Sequence, residues 1–158
     1  MKLINNLCLL FIFFLVGCSD APTLSRLQQD DVILAFGDSL TQGVGVSKQH
    51  SYPSVLESLS GVTVINAGIS GETTSEGLNR FADVIEQHAP TLVILLEGGN
   101  DILQNKNLDE TQENLNDMIE IAKSYGVEVV LIGVPQKKPF LKFCAALPSF
   151  SRQTPSCI

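Results

Sequence analysis

Two stretches of this sequence are apolar at every position and then run into glycine. Val32-Ile33-Leu34-Ala35-Phe36 stops at Gly37-Asp38-Ser39, and Leu92-Val93-Ile94-Leu95-Leu96 ends close to Gly98-Gly99. A strand that is apolar on both faces needs cover on both faces, which is the pattern of a parallel sheet between helices. Val62-Thr63-Val64-Ile65 after Gly61, and residues 127–132 before Gly133 and Pro135, read as two further strands. Between the strands the period changes to that of helices. Residues 52–59 carry Val55, Leu56 and Leu59 at helical spacing, with Pro53 near the start. Thr73 and Glu76 have the spacing of a capping box, opening a helix through Leu78, Phe81, Ala82 and Ile85. Residues 109–125 place Leu115, Met118, Ile119 and Ala122 on one face, and Gly126 is a good stop. The order β-α-β-α-β-α-β predicts one α/β domain with a parallel sheet. In such folds ligands bind outside the C-terminal strand ends.

The first residues have the composition of an address. Lys2 precedes an apolar run at residues 7–16, too short for a membrane-spanning helix of about 20 residues but suited to the core of a secretory signal peptide. The run ends in Leu15-Val16-Gly17-Cys18, which resembles the bacterial lipobox. That resemblance implies a leader at residues 1–17, lipidation of Cys18, and a lipidated terminus with a polar tether at 18–30. Ser19, rather than Asp, follows the cysteine, which implies the outer membrane with the domain facing the periplasm. An exported chain would place Cys144 and Cys157 where disulfides form.

Composition excludes several classes. With 158 residues there is room for one domain, and 44% apolar content argues against disorder. Seventeen Asp and Glu against ten Lys and Arg give a net charge of −7, so nucleic acid is not an expected partner. The four cysteines form no CxxC, which leaves zinc ribbons and thioredoxin-type sites without support. No Gly-Lys-Ser/Thr follows Gly37 and no Gly-x-Gly-x-x-Gly follows the first strand, so neither phosphate-loop nor dinucleotide motif is present. Metal or phosphoryl chemistry through Asp38 and Asp101 lacks an accompanying Lys or third carboxylate. No cofactor is expected.

Three polar clusters sit at three strand ends: Gly37-Asp38-Ser39-Leu40, Ser70-Gly71-Glu72-Thr73 and Gly98-Gly99-Asn100-Asp101. Singly, each is ordinary turn chemistry. Together they bring a hydroxyl, a glycine N–H and a side-chain amide to one sheet edge, which are the parts of a nucleophile with an oxyanion hole. The joint pattern runs Phe36-Gly37-Asp38-Ser39-Leu40-Thr41-Gln42-Gly43, then Asn66-Ala67-Gly68-Ile69-Ser70-Gly71-Glu72-Thr73, then Glu97-Gly98-Gly99-Asn100-Asp101. It resembles the GDSL or SGNH hydrolase family, within it the bacterial thioesterase I, arylesterase and lysophospholipase group. The resemblance spans residues 31–135 and implies a flavodoxin-like three-layer α/β/α sandwich. It also implies Ser39 as nucleophile, and the Ser39 N–H, Gly71 N–H and Asn100 amide as the oxyanion hole. Asp38 would support the turn that presents Ser39, and Asp101 would be structural.

The family's fourth block, Asp-x-x-His near the C-terminus, has no counterpart here. No acidic residue follows Glu128, and the histidines are His50 and His88. His88 falls before the third strand, at the opposite edge of the sheet from the clusters, and reads as a solvated loop residue. His50 is on the correct side but does not match the family's base. No general base and no orienting Asp are found. Residues 136–158 carry Lys137, Lys138, Lys142 and Arg152 with no acid, whereas the preceding domain is strongly acidic. That break suggests a shifted reading frame near Lys137, with the family's last strand and helix missing; a natural short variant is the rival explanation. The expected activity is hydrolysis of acyl esters, thioesters or lysophospholipids through an acyl-Ser39 intermediate, weak or absent in this chain. A carbohydrate deacetylase of the same family and a non-catalytic acyl- or carboxylate-binding module are the alternatives.

Overall fold

The computed structural model describes residues 24–135. The expected leader at residues 1–17, Cys18, Cys144, Cys157 and the basic tail lie outside the described residues. Four strands form one parallel sheet: β1 (Val32–Gly37), β2 (Thr63–Gly68), β3 (Leu92–Leu96) and β4 (Glu128–Leu131), in the spatial order β2-β1-β3-β4. Five α-helices connect them: α1 (Ser39–Gln42), α2 (Tyr52–Ser60), α3 (Thr74–His88), α4 (Gly99–Leu103) and α5 (Leu108–Ser124). A short 3₁₀ turn, Lys48–His50, precedes α2. None of these helices is long and apolar enough to cross a membrane.

Alternation along β1 divides the core into two layers. Leu34 and Phe36 point to one face, where Phe81 and Ile85 of α3 and Met118, Ile119 and Ala122 of α5 cover them together with Val93 and Leu95. Ile33 and Ala35 point to the other, where Tyr52 and Leu56 of α2 pack beside Val62, Val64 and Leu92. The continuous apolar run in β1 is thereby explained, because each residue meets one layer or the other. Phe36 and Phe81 meet edge to face with ring centroids 4.8 Å apart, an arrangement that aromatic quadrupoles favour.

The ends of the helices follow local rules. The Glu76 carboxylate accepts the Thr73 N–H at 2.9 Å and its hydroxyl at 2.8 Å, closing the start of α3. At the end of α5 the Val127 N–H reaches Ala122 O at 3.0 Å and the Gly126 N–H reaches Lys123 O at 2.9 Å, with Gly126 at φ 72°. This is a Schellman stop.

Several expectations need correction. The second strand starts at Thr63, one residue late, and continues to Gly68 because its pairing with β1 extends to Gly37. The fourth is shorter than residues 127–132, and α5 starts at Leu108, where the Asn107 side chain accepts the Asp109 N–H. Val55 and Leu59 do not pack: they are 39% and 81% exposed. Helix α2 lies against the edge strand β2, so Tyr52, Pro53 and Leu56 form its buried stripe and the remainder faces outward.

Candidate active site

The site lies at the C-terminal tips of β2, β1 and β3, three neighbouring strands. At the tip of β1 the Asp38 side chain caps α1, its Oδ1 accepting the Leu40 N–H at 2.9 Å. The cap turns the chain sharply and puts Ser39 at the first position of α1, half-buried at the mouth of the cleft. Gly37 permits the turn, since a Cβ there would collide with Leu96 O and Thr41 Oγ1.

At the tip of β2 the Ile69 N–H donates to Gly37 O at 2.9 Å, tying this loop to β1. Gly71 adopts φ 85° with nothing near its missing side chain. Backbone conformation, rather than lack of space, therefore selects glycine there. Glu72, the next residue, is buried and paired with Arg80 of α3 through two bonds, one from Nε at 2.6 Å and one from Nη2. Arg80 Nη2 also donates to Ala67 O at 2.9 Å, and its guanidinium lies 4.0 Å from the centroid of the Phe36 ring.

At the tip of β3, Gly98 turns at φ 100° and α4 begins. The sequence read residues 98–101 as a loop cluster; a five-residue helix that opens on two glycines carries no period to find. A Cβ on Gly99 would lie 2.9 Å from Asp38 Oδ2, so the two loops touch at this residue. Asn100 Nδ2 donates to Glu72 O at 2.8 Å and, at a longer 3.4 Å, to Asp38 Oδ2. Its amide is thus fixed between the β1 and β2 tips instead of bonding its own turn. Asp101 is buried, accepting from the Thr74 N–H at 2.9 Å, the Thr74 hydroxyl at 2.7 Å and the Thr111 hydroxyl at 3.3 Å. It locks the start of α3 to α4 and α5, the structural part expected of it.

One carboxyl is handled differently. Glu97, between β3 and Gly98, is 3% exposed, and neither carboxyl oxygen forms a hydrogen bond. Burial, then contact with the Glu72 carboxyl and the charges of Glu72 and Asp38, pushes it up to about 9, so it is neutral at physiological pH. Sequence reasoning passed over Glu97. The available signal was an acid directly after a strand buried on both faces.

A cleft of about 660 Å³ opens at these tips. Ser39, Asn100 and Asp38 supply its polar side, while Leu40, Ile102, Leu103, Leu108, Val134 and Pro135 supply an apolar wall, with Lys106 beside them. Such a shape suits a molecule with one reactive polar group and an apolar body. Of the residues singled out, Ser39, Asp38 and Asn100 share the cleft. Gly71 stands in the exposed loop that leads to the Asn100 anchor, outside the cleft lining. His50 is exposed, with Nδ1 2.7 Å from Ser47 Oγ. His88 is the last residue of α3, half-buried, at the far edge of the sheet. Among the described residues no histidine or carboxylate hydrogen-bonds the Ser39 hydroxyl, and no group of three His, Cys, Asp or Glu side chains is placed to hold a metal ion.

Comparison with known proteins agrees with this geometry. Residues 35–153 match the GDSL-like Lipase/Acylhydrolase family. An arylesterase of Vibrio mimicus is 38% identical over 112 residues, covering 68% of this chain and 56% of the relative. Thioesterase 1/protease 1/lysophospholipase L1 of Escherichia coli K12 is 33% identical over 111 residues, covering 69% and 53%. The crystal structure of AlinE4, an SGNH-hydrolase family esterase, superposes with a TM-score of 0.64 at 36% identity over 70% of this chain and 62% of its own. The chain spans about half the length of the curated relatives it matches. With its three strand-tip loops, its parallel sheet and a match over most of its residues, the chain belongs to the GDSL-like lipase/acylhydrolase family.

Proposed function

We propose that this chain carries the nucleophile and oxyanion side of a serine hydrolase that cleaves acyl esters, thioesters or lysophospholipids. The observation that carries this reading is the placement of the Ser39 hydroxyl and the anchored Asn100 amide on one half-apolar cleft. Ser39 Oγ attacks the acyl carbonyl carbon. The carbonyl oxygen becomes an oxyanion, met by the Ser39 N–H and by the Asn100 N–H that otherwise makes the long 3.4 Å contact with Asp38, with the Gly71 N–H of the adjoining loop as third donor. The Ser39 proton passes through solvent to the departing oxygen or sulfur, so that collapse expels the alcohol or thiol and leaves acyl-Ser39; water then adds to the acyl carbon, releasing the carboxylic acid and restoring the Ser39 hydroxyl. The apolar wall receives the acyl chain.

The proton of Ser39 needs an acceptor, and no described residue offers one. In an unrelated serine hydrolase, loss of the base costs about 10⁶ in kcat. Turnover by this chain is therefore expected to be slow, resting on binding and the oxyanion donors. The test is hydrolysis of a p-nitrophenyl acyl ester by the chain and by Ser39→Ala. A residual rate that disappears in Ser39→Ala supports the reading, and equal rates in the two proteins overturn it.

The bare Ser39 hydroxyl favours a second reading, a module that binds an acyl or carboxylate ligand without chemistry. Saturable binding of a fatty acid that Asn100→Ala abolishes, with no turnover, would establish it. Attachment to the cell envelope through Cys18 belongs to the same proposal. It requires palmitate to be incorporated into the chain and lost in Cys18→Ser.

A further inference from the structure

We propose that Glu97 is a positioning residue: its buried carboxyl braces the Gly71–Glu72 loop against the Gly98–Asn100 loop and so fixes the aim of the Asn100 amide. The inference rests on the reading above only for its effect on turnover. The brace itself stands on the burial of Glu97 beside the Glu72 carboxyl.

Glu97 is sealed from solvent and both its oxygens lack a partner. Buried polar groups in native proteins are nearly always satisfied, so an orphaned carboxyl calls for a physical account. Its neighbour is the Glu72 carboxyl, which acts on it by contact as well as by charge. The point where a Gly77 Cβ would stand is 3.6 Å from Glu97 Oε1 and 3.7 Å from Glu72 Oε2. Gly77 leaves open space beside both carboxyls, and in the proposed brace the Glu97 O–H turns onto the Glu72 carboxyl.

The charged groups around this point fix which form of Glu97 is compatible. From the β2–α3 loop comes Glu72, and from the β1 tip comes Asp38. Arg80 of α3 is committed to the Glu72 carboxylate and Ala67 O, and Asp101 of α4 to Thr74 and Thr111. A neutral Glu97 donates into this set. An ionised Glu97 becomes one more negative charge beside Glu72 and Asp38 and is repelled by both. Glu72 O is the main anchor of Asn100 Nδ2, so displacement of Glu72 releases the amide.

The test follows the Asn100 side-chain amide of the ¹⁵N-labelled full chain by NMR from pH 6 to 10. Asn100→Ala identifies its signal by loss of the peak pair. In the parent the signal should move in one step with its midpoint near 9, where burial and the two acidic neighbours place Glu97. In Glu97→Gln, which keeps a neutral donor at the same reach, the signal should start at the parent's low-pH position and stay there. A flat parent signal, or the same step in Glu97→Gln, overturns the proposal. Should Glu97→Gln fail to fold, the ¹³C carboxyl signal of Glu97 in the parent decides alone. Its midpoint must coincide with that of Asn100, and different midpoints overturn the brace. This readout needs no turnover. Where turnover is measured, the parent should lose kcat above the midpoint at constant KM. A chain that shows the amide step but no Ser39-dependent hydrolysis keeps the brace and refutes the catalytic reading.

Discussion

The cleft has two sides of opposite construction. At the tips of β1, β2 and β3, Asp38, Glu72, Glu97 and Asp101 are all buried, and three of the four are held by named bonds, Asp38 to Leu40 and Asn100, Glu72 to Arg80 and Asp101 to Thr74. Past the tip of β4, the wall is Val134 and Pro135, with no titratable group. The first side is assembled from short turns that the sheet itself places, and each turn supports the next. The second would need a residue from farther along the chain to bring a proton acceptor. The difference teaches that the proposed oxyanion donors and a general base are separable pieces of architecture: among the described residues Asn100 is anchored, and no proton acceptor reaches Ser39.

The largest way to break the contrast is to remove a donor from the ordered side. Asn100→Ala should lower any Ser39-dependent rate by about 10²–10³, since one preorganised oxyanion donor contributes that much. A p-nitrophenyl ester assay checks it, and an unchanged rate would show that Asn100 is only a strut. Next comes Asp101→Ala, which strips the buried Thr74 N–H and hydroxyl of their acceptor. It should cost about 3 kcal/mol in urea unfolding, the range for bonds to a buried charge.

Glu97 gives a third expectation, read by stability. Its folded-state pKa, about 9, stands above the ordinary value of 4.5. The folded state therefore holds a proton that the unfolded chain releases. The contribution of Glu97 to stability is therefore full below 4.5 and declines up to 9, by about 1.4 kcal/mol per pH unit at most. Glu97→Gln should flatten that decline in thermal melts. The smallest expected effect lies away from the cleft. Glu76→Ala removes half of the Thr73 capping box and should cost about 1 kcal/mol, with no change in the cleft chemistry.

Much of this was legible in the sequence, for reasons that residues make plain. β1 and β3 declare themselves because burial on both faces leaves no polar position. α3 declares itself through Thr73, Glu76 and the spacing of Phe81 and Ile85. Leu59 misleads because helical spacing shows that a stripe exists and leaves open whether a neighbour covers it. Ser39, Asp38 and Asn100 were accessible, with Gly71, as one pattern across three strand ends. The bond from Asn100 to Glu72 O was not, since it joins loops 28 residues apart through a backbone atom. Nor was the isolation of Glu97, which depends on where α3 packs.

The latch at Asp101 has a consequence for how such a cleft can diversify. Asp101 O accepts the Lys106 N–H at 2.8 Å, so the short segment between α4 and α5 hangs from the same residue that secures α3. Leu103 and Leu108, 75% and 43% exposed, project from the two ends of this segment. Substitutions at these two positions would reshape the room available to a bound chain while the reacting groups kept their footing. Selectivity could then drift through a lineage one aliphatic residue at a time, without each step having to rebuild the chemistry.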